Sequence, residues 1–343
     1  MEKTINVGLF KEILANFPST TKTLHTHKGV LFTFDSFHMC FCRSPFKGIT
    51  FTFDFKVLNK ILDSFDSDED LEIENSEGKI VFKNKNTSLD MSSAEETPKK
   101  MAEKIQEILN TELKYHINNR ENLKESILFA CSVARKDNLS GMLDHIVLTK
   151  SGEIISSDNI RALRIQTEEN PPVELTMDAK RSQYFFKNKD VSKILISENW
   201  IALFEKSTKM YFCIPVPSAS MGKFPTTKFK EFFKVNASAN GNMFKFPEEA
   251  KSLLRKVSHF AEGKNEISKT VSLEFKKKKI VCSVLIPGGI FIREVSCKNP
   301  TEFRMTLNPG LFISPEEDIE FKFLQNAIYY KKDNFEYIMA VGE

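Results

Sequence analysis

The sequence has no apolar run long enough to span a bilayer and no secretory leader pattern, so a cytosolic chain with no membrane partner is expected. It also lacks strong net charge. At +3, bulk attraction cannot support nucleic-acid binding, and any such case must rest on where the charges lie. The six cysteines (Cys40, Cys42, Cys131, Cys213, Cys282, Cys297) are scattered, which in a cytosolic protein reads as reduced, buried thiols. No phosphate-cradling loop, nucleophile elbow or dinucleotide fingerprint is present. A hydrolase would need a base and a nucleophile that meet in space, and no pair singles itself out.

Metal chemistry has two weak candidates. His25 and His27, with His38 and Cys40, are pairs two residues apart that could share strand faces and offer tetrahedral ligands. The spacing of structural zinc motifs is missing, so surface histidines are the expected reading. Asp63, Asp66, Asp68 and Asp70 lack the turn glycine and closing glutamate of a calcium loop, and read as a solvated loop. No cofactor is expected.

What the sequence does have is an internal repeat. A short strand, an amphipathic helix with a basic outer face and alternating strands recur roughly every 120 residues. The copies open at Ile5-Asn6-Val7 with a helix over 9–17, at Tyr115-His116-Ile117 with a helix over 123–134, and at 243–246 with a helix over 248–260. A period this long is a domain. The expected organisation is three tandem domains, 1–113, 114–237 and 238–343, of α+β class. Phe outnumbers Trp 31 to 1 and alternates in Ile49-Thr50-Phe51-Thr52-Phe53-Asp54-Phe55, the period of a half-buried strand.

The first domain reads as two copies of a strand–helix–three-strand half-unit, the first opening on a strand over 5–7. The first has a helix over 9–17 and strands over 30–34, 37–43 and 49–53; the second has a helix over 56–65 and strands over 71–74, 79–83 and 88–91. A polar linker over 92–100 and a short helix over 101–109 follow. The middle domain shows strands over 144–149, 153–156, 162–166, 200–205 and 210–215, with a break at Pro171-Pro172. The last shows strands over 271–275, 279–284, 290–295, 302–307, 319–323, 327–331 and 337–341, with turns at Pro287-Gly288-Gly289 and Asn308-Pro309-Gly310.

Basic residues recur on the helix faces opposite the apolar stripes. Lys56 and Lys60 oppose Leu58, Ile61, Leu62 and Phe65; Arg120, Lys124 and Arg135 oppose Leu123, Ile127, Cys131 and Ala134; Lys251 and Arg255 oppose Ala250, Leu253, Leu254 and Val257. One such helix would be a solvated face. Its recurrence favours a track for a phosphate backbone, bound by charge without reading sequence. The expected last helix, over 309–317, breaks the pattern: it is proline-flanked and acidic through Glu316 and Glu317.

Several segments, in order, resemble the bacterial-type DNA polymerase III beta sliding clamp, in a divergent or phage-encoded form. Leu139-Ser140-Gly141-Met142-Leu143 is similar to the family's Leu-Asn-Gly-Met-Leu, and Ser157-Asp158-Asn159-Ile160-Arg161-Ala162 to its Thr-Asp-Gly-His-Arg-Leu. Lys223-Phe224-Pro225 is similar to its Arg-Phe-Pro, and Tyr337-Ile338-Met339-Ala340-Val341 to its Tyr-Val-Val-Met-Pro. Residues 257–264 followed by Val271-Ser272-Leu273-Glu274-Phe275 look like the start of its third domain.

The resemblance implies a non-catalytic processivity factor in the cytoplasm of a bacterial cell or infected bacterial host. It would be a homodimeric ring of six similar units, with helices facing duplex DNA and sheets outside. It would tether a replicative DNA polymerase and be loaded by a separate ATP-driven clamp loader. The implied pocket for partner peptides uses Leu139, Ser157, Ile160, Arg161, Ala162, Pro225, Ile338, Ala340 and Val341. The implied interface sets Leu89 and Met91 against Phe260, preceded by His259, and Arg135, Lys136 and Asn138 match a DNA-contacting loop. Asn159 and Ile160 replace the family's Gly-His and the C-terminal proline is absent, so a different peptide preference is expected, and the 136–139 loop is shorter than the family's, so its DNA contacts are expected to differ. Two alternatives stay open: a clamp-fold transcription or recombination cofactor that does not slide, and a metal-dependent nucleic-acid enzyme.

Overall fold

Asn6 and Asp54 each end a strand, and each accepts, through its side-chain oxygen, the backbone N–H three residues on, which starts a helix. The computed structural model describes residues 3–35, 39–46, 48–76, 79–85, 87–134, 141–217, 222–259, 270–286, 288–297, 302–309 and 320–342. They form two compact units, Met1–Leu128 with Glu168–Ser220, and Phe129–Thr167 with Met221–Glu343.

In the first unit β1 (Lys3–Asn6) runs straight into α1 (Val7–Ala15), and β2 (Thr23–His27), β3 (Val30–Phe34) and β4 (Met39–Arg43) follow. The pattern repeats with β5 (Phe51–Asp54), α2 (Phe55–Asp63), β6 (Asp70–Ser76), β7 (Lys79–Lys83) and β8 (Ser88–Ser92). The two half-units exchange their opening strands: β1 pairs with β6 through Ile5↔Leu71, and β5 pairs with β2 through Phe53↔Leu24. The 49–53 segment therefore opens the second half and does not close the first. β2 occupies residues to which no strand was assigned from sequence. The exchange packs Phe10, Phe46, Phe53 and Phe82 into one run, with Phe10 edge-on to Phe46 at 5.0 Å.

α3 (Lys99–Asn110) and β9 (Lys114–His116) lead to α4 (Arg120–Val133). β10 (His145–Leu148), β11 (Glu153–Ser157) and β12 (Arg161–Gln166) belong to the second unit. The chain then returns to the first unit as β13 (Leu175–Asp178), α5 (Ala179–Asn188), β14 (Val191–Ile196), β15 (Trp200–Glu205) and β16 (Met210–Pro215). β13, α5 and β14 went unread in the sequence, although Asp178 caps α5 through Arg181 N–H as Asn6 and Asp54 cap theirs.

The large sheet of the first unit runs β5-β2-β3-β4-β16-β15-β14-β9. Its seam is β4 on β16, where Phe41 stacks on Tyr211 at 4.7 Å. Helix α3 covers this sheet, setting Ala102, Ile105 and Ile108 on Val30, Phe32, Leu195 and Ala202. Because the seam joins strands from either side of residue 113, the compact units cut the chain differently from the sequence repeat.

The second unit continues with α6 (Thr226–Ser238), β17 (Asn242–Lys245), α7 (Glu248–Val257), β18 (Val271–Lys276), β19 (Lys279–Ile286), β20 (Gly289–Ser296), β21 (Phe303–Leu307), β22 (Glu320–Leu324), β23 (Ala327–Lys332) and β24 (Phe335–Ala340). Strands β10-β11-β12-β24-β23-β22-β17 follow one another in one sheet and β20-β19-β18-β21 form another. The exchange recurs here, with β17 on β22 and β21 on β18. The seam is β12 on β24 through Ala162↔Ile338, and α6 covers it with Phe233 as α3 covers the other.

Two sequence expectations change. The exposed residues of α1 are Leu9, Glu12 and Ala15, while Lys11 is half-buried against the end of α2, bonded to Phe65 O (3.4 Å) and paired with Asp63 (3.7 Å); α1 therefore has no basic outer face. His25 and His27 are buried core residues, not surface ones, because their Nδ1 atoms are tied to Thr52 and Thr50 hydroxyls at 2.8 Å. His38 and the expected 309–317 helix, apart from its first residue Pro309, lie outside the described residues. Among the described residues no group of three or more His, Cys, Asp or Glu could hold a metal, and no helix is long and apolar enough to cross a membrane.

Candidate functional site

In the second unit the β11–β12 turn, one face of α6, the β22–β23 turn and the end of β24 enclose a cavity of about 640 Å³. Seven of the residues expected at a partner pocket line it: Ser157, Ile160, Arg161, Ala162, Pro225, Ile338 and Ala340.

The turn is locked by its own polar groups. Asp158 Oδ1 accepts the backbone N–H groups of Ile160 (3.0 Å) and Arg161 (2.7 Å), and Ser157 Oγ donates to Arg161 O (2.6 Å). Asn159 takes a left-handed backbone, φ 75°, which asparagine tolerates better than most side chains. Arg161 is only 6% exposed; its Nε donates to Asp158 Oδ2 at 2.8 Å and its guanidinium reaches Ser132 O at 3.3 Å. Its charge is therefore used in shaping the turn. Ile160 O accepts Ala340 N–H at 2.8 Å, which ties the turn to β24.

Two expected pocket residues are not placed there. Ile338 and Ala340 are two apart on β24 and so share a face, whereas Val341, at odd spacing, is buried away from the cavity and donates its N–H to Asn326 O at 2.9 Å. Leu139 lies outside the described residues.

Helix α6 is what the sequence reading missed. It brings Lys228, Phe229, Phe232 and Asn236 to the cavity, while the β22–β23 turn adds Leu324, Asn326 and Ala327. The spacing Pro225, Phe229, Phe232, Asn236 was a legible helical stripe. Phe233 is fully buried against Ala162, Tyr329 and Ile338. Arg164 lies over the Phe233 ring at 5.3 Å and pairs with Glu336 at 2.7 Å, and Lys230 pairs with Glu153. Burial alone would raise the Glu153 carboxyl. Hydrogen bonds from Lys230 and Ser151 and the nearby Arg164 charge outweigh it and hold the group below its ordinary value. At the negative end of α6 Lys322 Nζ donates to Ala237 O (2.7 Å) and Ala239 O (3.0 Å). Only glycine fits just beyond, since a Cβ on Gly241 would sit 2.6 Å from Phe323 O.

The basic helix faces are a separate feature. Lys56 and Lys60 are exposed on α2 opposite buried Leu58 and Leu62. On α4, Arg120 is exposed and paired with Asp190, and Lys124 is half-buried. The start of α4 is already satisfied: the buried Glu169 carboxylate accepts Asn118 N–H (3.2 Å) and Asn119 N–H (2.7 Å). Helix α5 adds exposed Lys180 and Lys187, unread in the sequence. On α7, Arg255 is exposed but Lys251 is not. Lys251 stands three residues before Leu254, on the packed face, and it is 4% exposed and paired with Glu248 at 3.3 Å. Arg135, Lys136 and Asn138 lie outside the described residues.

Each unit also ends in an open sheet edge. β8 pairs only with β7 among the described strands, with Met91 buried and Leu89 half-buried. β20 pairs only with β19 and exposes Ile290 (62%) and Ile292 (60%), beside Leu285 at 74%. His259 is exposed at the end of α7, and Phe260 lies outside the described residues.

No protein-family profile and no curated protein matches the sequence. Solved structures do. The DNA polymerase III subunit beta from Pseudomonas aeruginosa superposes with a TM-score of 0.68 at 14% identity, covering 100% of both chains. The Helicobacter pylori beta clamp bound to DNA ligase peptide gives 0.66 at 11%, again over 100% of both. The DNA polymerase III beta subunit from Thermotoga maritima gives 0.63 at 15%, over 100% of this chain and 99% of that one. The chain has the α+β fold of the bacterial beta sliding clamps along its whole length.

Proposed function

We propose that the chain is a DNA sliding clamp, a non-catalytic accessory subunit that holds a replicative DNA polymerase on duplex DNA. The full-length likeness to bacterial beta clamps carries this reading. Three tandem domains, 1–113, 114–237 and 238–343, with two copies closing head to tail, would give the six repeats of a ring. The open edges β8 and β20 suit that closure, because an edge strand's unpaired backbone groups are a template for pairing with another chain, and β20 adds exposed Ile290 and Ile292.

In this reading Lys56, Lys60, Arg120, Lys124, Lys180, Lys187 and Arg255 meet phosphates through weak, exchangeable contacts. Lys251 has no such role, being buried. The cavity beside α6 takes short segments of the polymerase and of a clamp loader, a use supported by the DNA ligase peptide bound to the Helicobacter pylori clamp. The topological link is tested by loading the protein on circular DNA with a loader and then linearising the DNA. Release on linearisation is the expected result; retention would sink the ring. Direct, loader-free binding with a steep salt slope would instead favour a cofactor that does not slide.

A further inference from the structure

The repeat leaves one sheet bare where its counterparts are covered. Counted from the turn of each hairpin, Leu285↔Ile290 and Ser283↔Ile292 on β19–β20 stand where Phe204↔Tyr211 and Ala202↔Cys213 stand on β15–β16. The β15–β16 side chains lie beneath α3, against Ala102, Ile105 and Ile108. On β23–β24 the place of Ser283↔Ile292 belongs to Tyr329↔Ile338, which lie beneath Phe233 of α6. No described helix covers β19–β20 in this way, and Leu285, Ile290 and Ile292 are exposed. Ile280, Cys282 and Val284, which alternate with Val281, Ser283 and Leu285 along β19, are buried on the packed face, so the bare side chains point away from the core. An exposed apolar patch of this kind marks a contact surface.

The strand ends give the surface a charge. Helix α3 finishes at the β14–β15 turn, where Thr111 Oγ1 donates to Ile196 O at 2.6 Å. The corresponding turn here, between β18 and β19, is the lysine run 276–279. Lys276 pairs with Glu274 at 3.1 Å and Lys279 with Glu294 at 2.9 Å. Lys277 and Lys278 are exposed at the tip, with no side-chain partner among the described residues. A helix laid on β19–β20 as α3 lies on its sheet would bring its last turn to these two ammonium groups. They suit its terminal carbonyls and any acidic side chain beside them.

We propose that this face of β19–β20 docks an amphipathic helix of a partner protein, one with a narrow aliphatic stripe like that of α3 and an acidic last turn. The stripe fills the place over Leu285, Ile290 and Ile292, and the acidic turn meets Lys277 and Lys278. The surface shares no residue with the cavity beside α6. Ring closure through β8 and β20 would engage backbone edges, and the exposed side chains of β8, Ser88, Asp90 and Ser92, are too short to cover Leu285.

The test is fluorescence anisotropy on the full chain with dye-labelled helical peptides, cross-linked to hold the helix because short free helices are marginal in water. Each carries the α3 spacing Ala-x-x-Ile-x-x-Ile and ends in Glu-Glu, Ser-Ser or Lys-Lys. The Glu-Glu peptide is expected to bind about fivefold tighter than the Lys-Lys peptide at low salt, with the gap closing as salt rises. Leu285→Glu should weaken it about tenfold. Leu285 is exposed and lies on β19, not on the edge strand, so this variant should keep its circular dichroism and its mass in sedimentation. Replacing Lys277 and Lys278 together by Glu should reverse the ranking. No binding would overturn the docking surface, as would binding that survives Leu285→Glu but is lost with Phe232→Ala, which would put the peptide in the cavity beside α6. A lower mass for Leu285→Glu would show that a second copy covers this face, and would overturn the partner helix. Equal binding of all three peptides, unaltered by the lysine replacements, would overturn the acidic last turn.

Discussion

His25 shows how much one buried side chain can set. It is 1% exposed, it stacks on Phe34 with centroids 5.5 Å apart, and Nδ1 meets Thr52 at 2.8 Å. Thr52 in turn reaches Thr97 in the polar linker at 3.0 Å, so the histidine anchors that linker to the sheet. Burial pushes its pKa down to about 4, against a smaller opposing pull from Glu95. The unfolded chain binds this proton from about pH 6.5 downward and the folded one only near 4, so stability falls as pH drops through that window. The loss is about 3 kcal/mol at most. Urea unfolding at pH 7 and pH 5 should show the slope, and His25→Gln should flatten it. An unchanged slope in the variant would put the acid sensitivity elsewhere. The same residue shows what sequence could not disclose: a His-Thr-His strand reads as a surface, and only its neighbours make it core.

At the scale of elements, α6 matters most. Its position comes from Phe233 under it, the Lys230–Glu153 and Arg164–Glu336 pairs beside it, and Lys322 at its end. Phe233→Ala should cost about 3–5 kcal/mol by leaving a void where a fully buried ring sat. It should also raise amide exchange across α6 and weaken peptide capture, readable by denaturation and hydrogen exchange on the same sample. Normal exchange in α6 would mean that the ion pairs hold the helix without the ring. The helix was readable from its stripe, yet Pro225 and the two threonines after it look like a loop until the sheet beneath supplies a partner. α5 was hidden differently. Its cap, Asp178, was visible, but only its recurrence at Asn6 and Asp54 gives it meaning.

For the whole molecule, the question is what covers β20. Ile290 and Ile292 on an open edge are costly for a monomer and suited to a second copy. Ile292→Lys should convert the proposed dimer to monomers in sedimentation, since pairing would bury an unpaired charge. Secondary structure by circular dichroism should stay intact. An unchanged mass would place any self-association on another surface. Neither edge could be recognised as one from sequence, because which strands stand beside β8 and β20 is decided by pairing and not by their own residues.

By itself the sequence determined the period of the repeat, the α+β class, most strands and the buried stripes of its helices. These follow from local rules, since alternation of two and of three to four residues marks which face of each element is apolar. Tertiary structure decided which strands pair and which charges stay outside. β1 joins β6 and β5 joins β2 across intervening elements, choices that no local pattern encodes. Lys251 turned inward and Val341 turned away because the packed face of a helix or strand is set by its partners. The cavity beside α6 likewise exists only where β12 meets β24, a pairing between strands about half the chain apart.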